Sequence, residues 1–203
     1  KLNLRVRYLE IKPKYGKYRN NLAYIPISNG CDNACTYCAV PYTRGRLIYR
    51  SHIDILKDVK RAVKKGFKEI WLLGQNVNSY YSTSKNSSTA ALAKVDKIIK
   101  FHNLLKMVNA VPGEFRIFFT SPHPADFTDE LIEIMAKSKK IAHYLNLPVQ
   151  SGDNKILQKM NRPYTVEGYK NLVKKIRKKI PDIYLSTDII VGYPTETQED
   201  HEL

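Results

Sequence analysis

YIPISNGCDNACTYCAVPYTRGR, residues 24–46, holds every cysteine of the chain: Cys31, Cys35 and Cys38. The spacing is C-x3-C-x2-C, which puts three soft thiolates on one short loop, the ligand type that selects iron–sulfur clusters, zinc or copper(I). A [4Fe–4S] cluster normally takes four thiolates. Three would leave one iron open to a further ligand. A structural zinc site built from the same cysteines with His52 is the alternative. Structural zinc loops usually come as C-x2-4-C pairs well separated along the chain, and three cysteines within eight residues fit one cluster better.

Outward from this loop the chain alternates strand and helix. Leu22–Ile27 is a short apolar run that reads as a buried strand, and the cysteines follow at once. Ser51-His-Ile-Asp54 resembles a capping box, and Ile53, Leu56, Val59 and Val63 then recur at near-helical spacing until Gly66 stops the helix. Lys68–Leu73 is the next strand. Strand, loop, helix and strand in that order make a βαβ unit with parallel pairing. The pattern continues with a helix over Lys94–Val108, a strand over Phe115–Thr120 and a helix from Thr128 through Met135. It then gives a strand over His143–Pro148, helix through Met160, a helix over Thr165–Ile180 ended by Pro181, and a strand over Tyr184–Val191. The expected class is α/β, a partial (β/α) barrel of about five parallel strands with outer helices. In such a barrel the site lies on the loops at the strands' C-terminal ends, where the cysteine loop falls.

The chain has 203 residues, 43% hydrophobic and 26% charged, ordinary globular proportions that suit one domain. Its formal charge is +15, from 34 Lys and Arg against 19 Asp and Glu. That balance favours a polyanionic partner, although Lys57, Lys60, Lys64, Lys65 and the run Lys174–Lys179 also read as solvated helix faces. No run of eighteen apolar residues predicts a membrane span, and no hydrophobic region predicts a signal peptide. With clustered cysteines that suit a reducing compartment, the expected location is cytoplasmic, without a membrane partner. Residues 1–19 are basic and punctuated by Pro13 and Gly16, and read as a lead-in or linker from an absent N-terminal domain, with a short strand possible around Leu4, Val6, Tyr8 and Leu9. Residues 20–203 read as the core. Thr197-Gln-Glu-Asp200 reads as a helix start close to the last residue, so the chain is expected to be a fragment of a longer protein. Ser82–Thr89, STSKNSST, is polar and of low complexity, and is expected to be mobile.

Five stretches taken in order carry a family resemblance: GCDNACTYCAVPYTRGR (30–46), LLGQNVNSY (72–80), TSPHP (120–124), LPVQSGDNKILQKMNRPYT (147–165) and DIIVGYPTET (188–197). They resemble the methylthiotransferases of the radical S-adenosylmethionine (SAM) superfamily, most closely the MiaB-type, tRNA-modifying branch, from about Tyr18 to the last residue. The resemblance implies that residues 20–203 are a radical SAM core truncated before its sixth strand. It also implies that Cys31, Cys35 and Cys38 hold a [4Fe–4S] cluster whose open iron chelates SAM, and that one-electron cleavage of SAM yields a hydrogen-abstracting radical. No catalytic residue is implied beyond the cluster ligands.

For SAM itself the resemblance implicates Tyr37, beside the third cysteine, and Gly74 and Gln75, in a GQN that stands where many members carry GGE. It further implicates Gln150 in the LPVQSG segment, Arg162 as a partner for the methionyl carboxylate, and Asp188 as a polar contact. Asp188 is expected inside a buried strand. His123, a lone loop histidine between two prolines, stays outside the catalytic set. A second [4Fe–4S] cluster is expected in the absent N-terminal domain, and a flavodoxin or ferredoxin as electron donor. The implied reaction is methylthiolation at C2 of N6-isopentenyladenosine beside the tRNA anticodon. The alternatives are a methylthiotransferase acting on threonylcarbamoyladenosine tRNA or a ribosomal protein, and a non-catalytic zinc-stabilised RNA-binding module.

Overall fold

The structure, a computed structural model, describes residues 14–15, 21–83 and 98–202. Its elements in chain order begin with β1 (Lys14–Tyr15), β2 (Leu22–Pro26), β3 (Ser28–Asn29), α1 (Val40–Thr43), β4 (Ile48–Tyr49), α2 (His52–Lys64) and β5 (Glu69–Leu73). Next come β6 (Tyr81–Ser82), β7 (Ile99–Lys100), α3 (Phe101–Asn109), β8 (Arg116–Phe119) and α4 (Asp129–Lys137). The series closes with β9 (Tyr144–Asn146), α5 (Asn154–Lys159), α6 (Val166–Lys179), β10 (Tyr184–Ser186) and α7 (Gln198–His201).

The five parallel strands of the expected barrel are β2, β5, β8, β9 and β10. β2 pairs in parallel with β5, and β5 with β8, while β9 pairs in parallel with β10. An isolated parallel bridge between Ile117 and Ile141 joins the two groups. On the outer face Ala23, Ile25, Ile70, Leu72, Ile117, Phe119 and Leu145 are buried in one core with the apolar faces of α2, α3 and α4. Each such Ile or Leu contributes about 1.5–3 kcal/mol relative to exposure. The inner face is aromatic. Tyr24, Trp71 and Phe118 lie opposite one another in the register, as do Tyr144 and Tyr184. Trp71 stacks on Phe118 with ring centroids 4.5 Å apart, Phe118 meets Tyr144 at 6.4 Å, and Tyr144 stacks on Tyr184 at 5.7 Å. This ladder spans the place where the hydrogen-bonded sheet is interrupted.

Several boundaries differ from the sequence reading. The helix expected over Lys94–Val108 starts at Phe101, because Ile99–Lys100 pairs antiparallel with Tyr81–Ser82 and the Asn103 side chain accepts the Lys100 N–H. The part of that expectation on residues 94–97 lies outside the described residues, as does the strand around Leu4–Leu9. Ser82, read as the start of a mobile stretch, is fully buried, and its hydroxyl contacts the His52 ring. Residues 84–89 of that stretch lie outside the described residues. Ser51 does cap α2, but its hydroxyl accepts from Ile53 N–H, so the reciprocal capping box with Asp54 does not form. The last strand stops at Ser186 because the Thr187 hydroxyl takes over the ladder, accepting from Val149 N–H and lying 2.9 Å from the Leu147 carbonyl. Pairing resumes only as a bridge between Gln150 and Ile189. Lys14–Tyr15, placed in the lead-in, pairs antiparallel with β2 as an edge strand.

Candidate active site at the strand C-termini

The cysteine loop leaves the end of β2 and is closed at its base by the antiparallel pair of β3 and β4. Gly30 turns the chain at φ 71°, where a Cβ would stand 2.3 Å from the Arg46 carbonyl oxygen, so the loop closes only around glycine. Asp32 accepts the Leu47 N–H at 3.0 Å, and Cys38 N–H donates to the Cys35 carbonyl at 3.0 Å, forming the turn that brings the last two cysteines together. The loop then docks on the turn after α5. Thr36 N–H reaches the Met160 carbonyl, and Asn161, in the left-handed region at φ 56°, donates from its side chain to the Ala34 carbonyl at 2.9 Å.

One cavity of about 220 Å³ lies over the strand ends. All three cysteines line it, and so do Tyr37, Gln75, Gln150, Arg162 and Asp188, which come from five different loops. Gly74 stands just beside it, packed so closely on Ser28 that a Cβ would meet the Ser28 hydroxyl at 2.4 Å. Gln75 presents a buried side-chain oxygen without a hydrogen-bond partner. Gln150 sits at φ 75°, held by a bond from its N–H to the Asp188 carbonyl and by another from Ile190 N–H to its own carbonyl. Asp188 differs from expectation. It is exposed rather than buried, because it follows the short edge strand β10.

Arg162 is 8% exposed, and its side chain crosses the cavity wall. Nε donates to the Tyr164 hydroxyl at 2.8 Å, Nη2 to the Pro148 carbonyl at 3.4 Å, and Nη1 lies 3.5 Å from Cys35 Sγ. Against the cost of burial, the bond to Tyr164 and the nearby Cys35 hold its pKa above the ordinary value, so it is a permanent cation. Burial pushes the Cys31 thiol up, the Asn33 N–H on its sulfur offsets part of this, and Cys35 and Cys38 push it further. Burial likewise pushes the Tyr37 hydroxyl up. The Cys31 thiol, buried beside two further thiols that disfavour its ionisation, belongs to a donor set that a cationic iron group relieves.

A zinc set with His52 does not assemble, since the His52 ring contacts Ser82 at 3.0 Å and His52 is absent from the cavity lining. Among the described residues no group of three or more His, Cys, Asp or Glu side chains is arranged to hold a single metal ion. His123, set aside in the sequence reading, lines the cavity. Its flanking Pro122 and Pro124, which constrain the backbone and remove amide donors, are the signal that could have marked it.

The model of the Radical SAM superfamily matches residues 25–203. The chain is 49% identical over 180 residues to a tRNA-2-methylthio-N(6)-dimethylallyladenosine synthase of Carboxydothermus hydrogenoformans, covering 89% of this chain and 38% of that protein. It is 51% identical over 178 residues to the protein of the same name from Fusobacterium nucleatum, covering 88% and 38%. The chain thus spans about two fifths of the length of these curated relatives. Among solved structures it resembles the radical SAM methyltransferase TsrM from Kitasatospora setae, with a TM-score of 0.65 at 20% identity, covering 90% of this chain and 32% of that one. It also resembles the cobalamin-dependent SAM radical enzyme OxsB, with a TM-score of 0.66 at 14% identity, covering 88% and 25%. At these identities the two likenesses speak to fold alone, and they agree with the α/β partial barrel.

Proposed function

Because this chain belongs to the radical SAM superfamily, we propose that it is the SAM-binding core of a tRNA methylthiotransferase. The observation that carries the proposal is the single cavity in which Cys31, Cys35 and Cys38 meet Gln75 and Arg162. The three cysteines would hold one [4Fe–4S] cluster. Gln75 offers its unpartnered oxygen to the methionyl ammonium, and Arg162 offers its guanidinium to the carboxylate. Gln150 and Asp188 line the opposite loops and supply polar contacts to the nucleoside part, while Tyr37 screens the cysteines from water. When bound, the cluster supplies the electron that cleaves SAM reductively, the source of a radical able to take hydrogen from an unactivated carbon. The protein's task is to orient SAM and exclude solvent.

The substrate we propose is the N6-dimethylallyl (isopentenyl) adenosine beside the tRNA anticodon, methylthiolated at C2, in keeping with the names of the relatives. The net charge of +15 supports a nucleic-acid partner. So does Tyr42, 89% exposed on α1 directly after the cysteines and followed by the exposed Arg44 and Arg46, a combination suited to stacking on a base and pairing with phosphate. We place residues 20–203 as the core and residues 1–19 as its lead-in. The second, sulfur-supplying cluster is assigned to a domain outside this chain, since the three cysteines present are used by the first. A flavodoxin or ferredoxin donates electrons. Among the described residues no helix is long and apolar enough to cross a membrane, and we place the protein in the cytoplasm.

The test is anaerobic reconstitution, with iron and sulfide counts, followed by incubation with reductant, SAM and isopentenylated tRNA. Brown protein that releases 5′-deoxyadenosine without a methylthio product is expected. A colourless protein that takes up only zinc would overturn the enzyme reading in favour of a zinc-stabilised RNA-binding module.

A further inference from the structure

His123 faces the same cavity, and no role above uses it. Its backbone is clamped on both sides, with the N–H donating to Asn78 Oδ1 at 2.7 Å and the carbonyl accepting from Asn78 Nδ2 at 2.8 Å. The ring is 7% exposed and meets the Tyr164 ring edge-on, with centroids 5.9 Å apart. Nδ1 accepts the Ala125 N–H at 3.2 Å. A ring nitrogen that accepts from a backbone amide carries no proton, so the proton of the neutral ring sits on Nε2. Nε2 is buried and has no hydrogen-bond partner. Burial and then the Arg162 charge push the pKa of the ring down to about 4, which keeps it a neutral donor near neutral pH.

Arg162 shares Tyr164 with this ring, through the bond from Nε to the Tyr164 hydroxyl. Its other partners are the Pro148 carbonyl and the Cys35 sulfur, and among the described residues no carboxylate pairs with it. A buried cation without a carboxylate, beside an unused N–H donor, describes a place for an anionic oxygen pair. A purine or ribose offers only neutral acceptors and would leave the Arg162 guanidinium without a carboxylate partner.

We propose that His123 Nε2–H is a second donor, beside Arg162, to the carboxylate of the amino-acid portion of SAM. The inference rests on the SAM-binding reading above.

Titration calorimetry on the anaerobically reconstituted chain tests it, comparing SAM with decarboxylated SAM for wild type, His123→Phe and His123→Gln. His123→Phe is expected to weaken SAM by about tenfold or more, the loss typical of a hydrogen bond to a charged group, while decarboxylated SAM stays within about threefold. His123→Gln places an amide N–H near the position of Nε2 but lacks the Nδ1 acceptor, and it is expected to keep most of the SAM affinity. A purely structural histidine predicts that both variants lose both ligands equally, and that result overturns the proposal. So does wild-type SAM affinity in His123→Phe. Should circular dichroism show His123→Phe unfolded, His123→Gln decides: retained preference for SAM supports the donor role, and equal loss of both ligands overturns it. If wild type itself binds no SAM, the SAM-binding reading fails and this proposal falls with it, whereas wild-type binding without a selective His123 effect overturns this proposal alone.

Discussion

The hydroxyl oxygens of Thr36 and Tyr193 lie 2.7 Å apart although 157 positions separate them, and both are 2.9 Å from the Lys159 carbonyl oxygen. Thr36 sits between the first and last cysteines, Lys159 ends α5, and Tyr193 belongs to the loop after the last strand. The cysteine loop is therefore tied both to the end of α5 and to the loop after β10. Tyr193→Phe removes the tyrosyl half of this clamp. The network is largely exposed, so the expected loss of stability is about 1 kcal/mol or less. The reconstituted cluster should be released to a chelator several-fold faster, followed by loss of visible absorbance. An unchanged release rate would show that the clamp does not restrain the loop.

Each of Cys31→Ala, Cys35→Ala and Cys38→Ala is expected to lose most of the iron and sulfide after anaerobic reconstitution, because no fourth cysteine can substitute. Iron and sulfide assays check this. A triple-alanine variant that retains the full complement would refute the ligand assignment.

Gly74→Ala should destabilise the chain by about 1–3 kcal/mol, the usual cost of overpacking, since the new methyl meets the Ser28 hydroxyl at 2.4 Å. That hydroxyl is itself buried without a partner, so Ser28→Ala alone should be neutral or slightly stabilising. The double substitution should recover much of the loss. Urea midpoints of the four proteins form the cycle, and strict additivity would argue against the clash.

The pH dependence follows from His123. Its folded pKa of about 4 lies below the ordinary 6.5, so between these values the unfolded chain binds the proton and the folded chain resists it. The stabilisation is fully present above about 6.5 and is lost as pH falls toward about 4. Arg162 adds to the depression and Asp126 opposes it. The contribution is about 2 kcal/mol after allowing for residual solvation. Urea unfolding of wild type and His123→Gln across this range measures it, and the variant should show a shallower slope. Equal slopes would mean that the ring already titrates normally in the folded protein.

Much of this was legible before folding. C-x3-C-x2-C is a local pattern, and the alternation of apolar runs with helical periodicity is written in neighbouring residues, so the cysteines and the order of the parallel strands could be read directly. Thr128, Thr165 and Thr197 as helix starts were also visible, and each caps its helix, because a cap satisfies donors within three residues of itself. Strand ends were not. β10 stops at Ser186 because the Thr187 hydroxyl engages Leu147 and Val149, just past the end of β9, a competition across 38 to 40 positions that no local window contains. Asp188 was misjudged for the same reason, since its exposure depends on which strand forms the edge.

The sequence by itself determined the ligand type, the α/β class and the set of loops that carry polar residues. Only the tertiary structure decided which of those residues share a cavity and in what state. His123 becomes a neutral, unpartnered donor through burial against Tyr164 and the charge of Arg162, and Arg162 is aimed at the cysteines by its bond to Tyr164. Burial and charge proximity are sums over groups distant in the chain and near in space, and they have no value until the chain has folded.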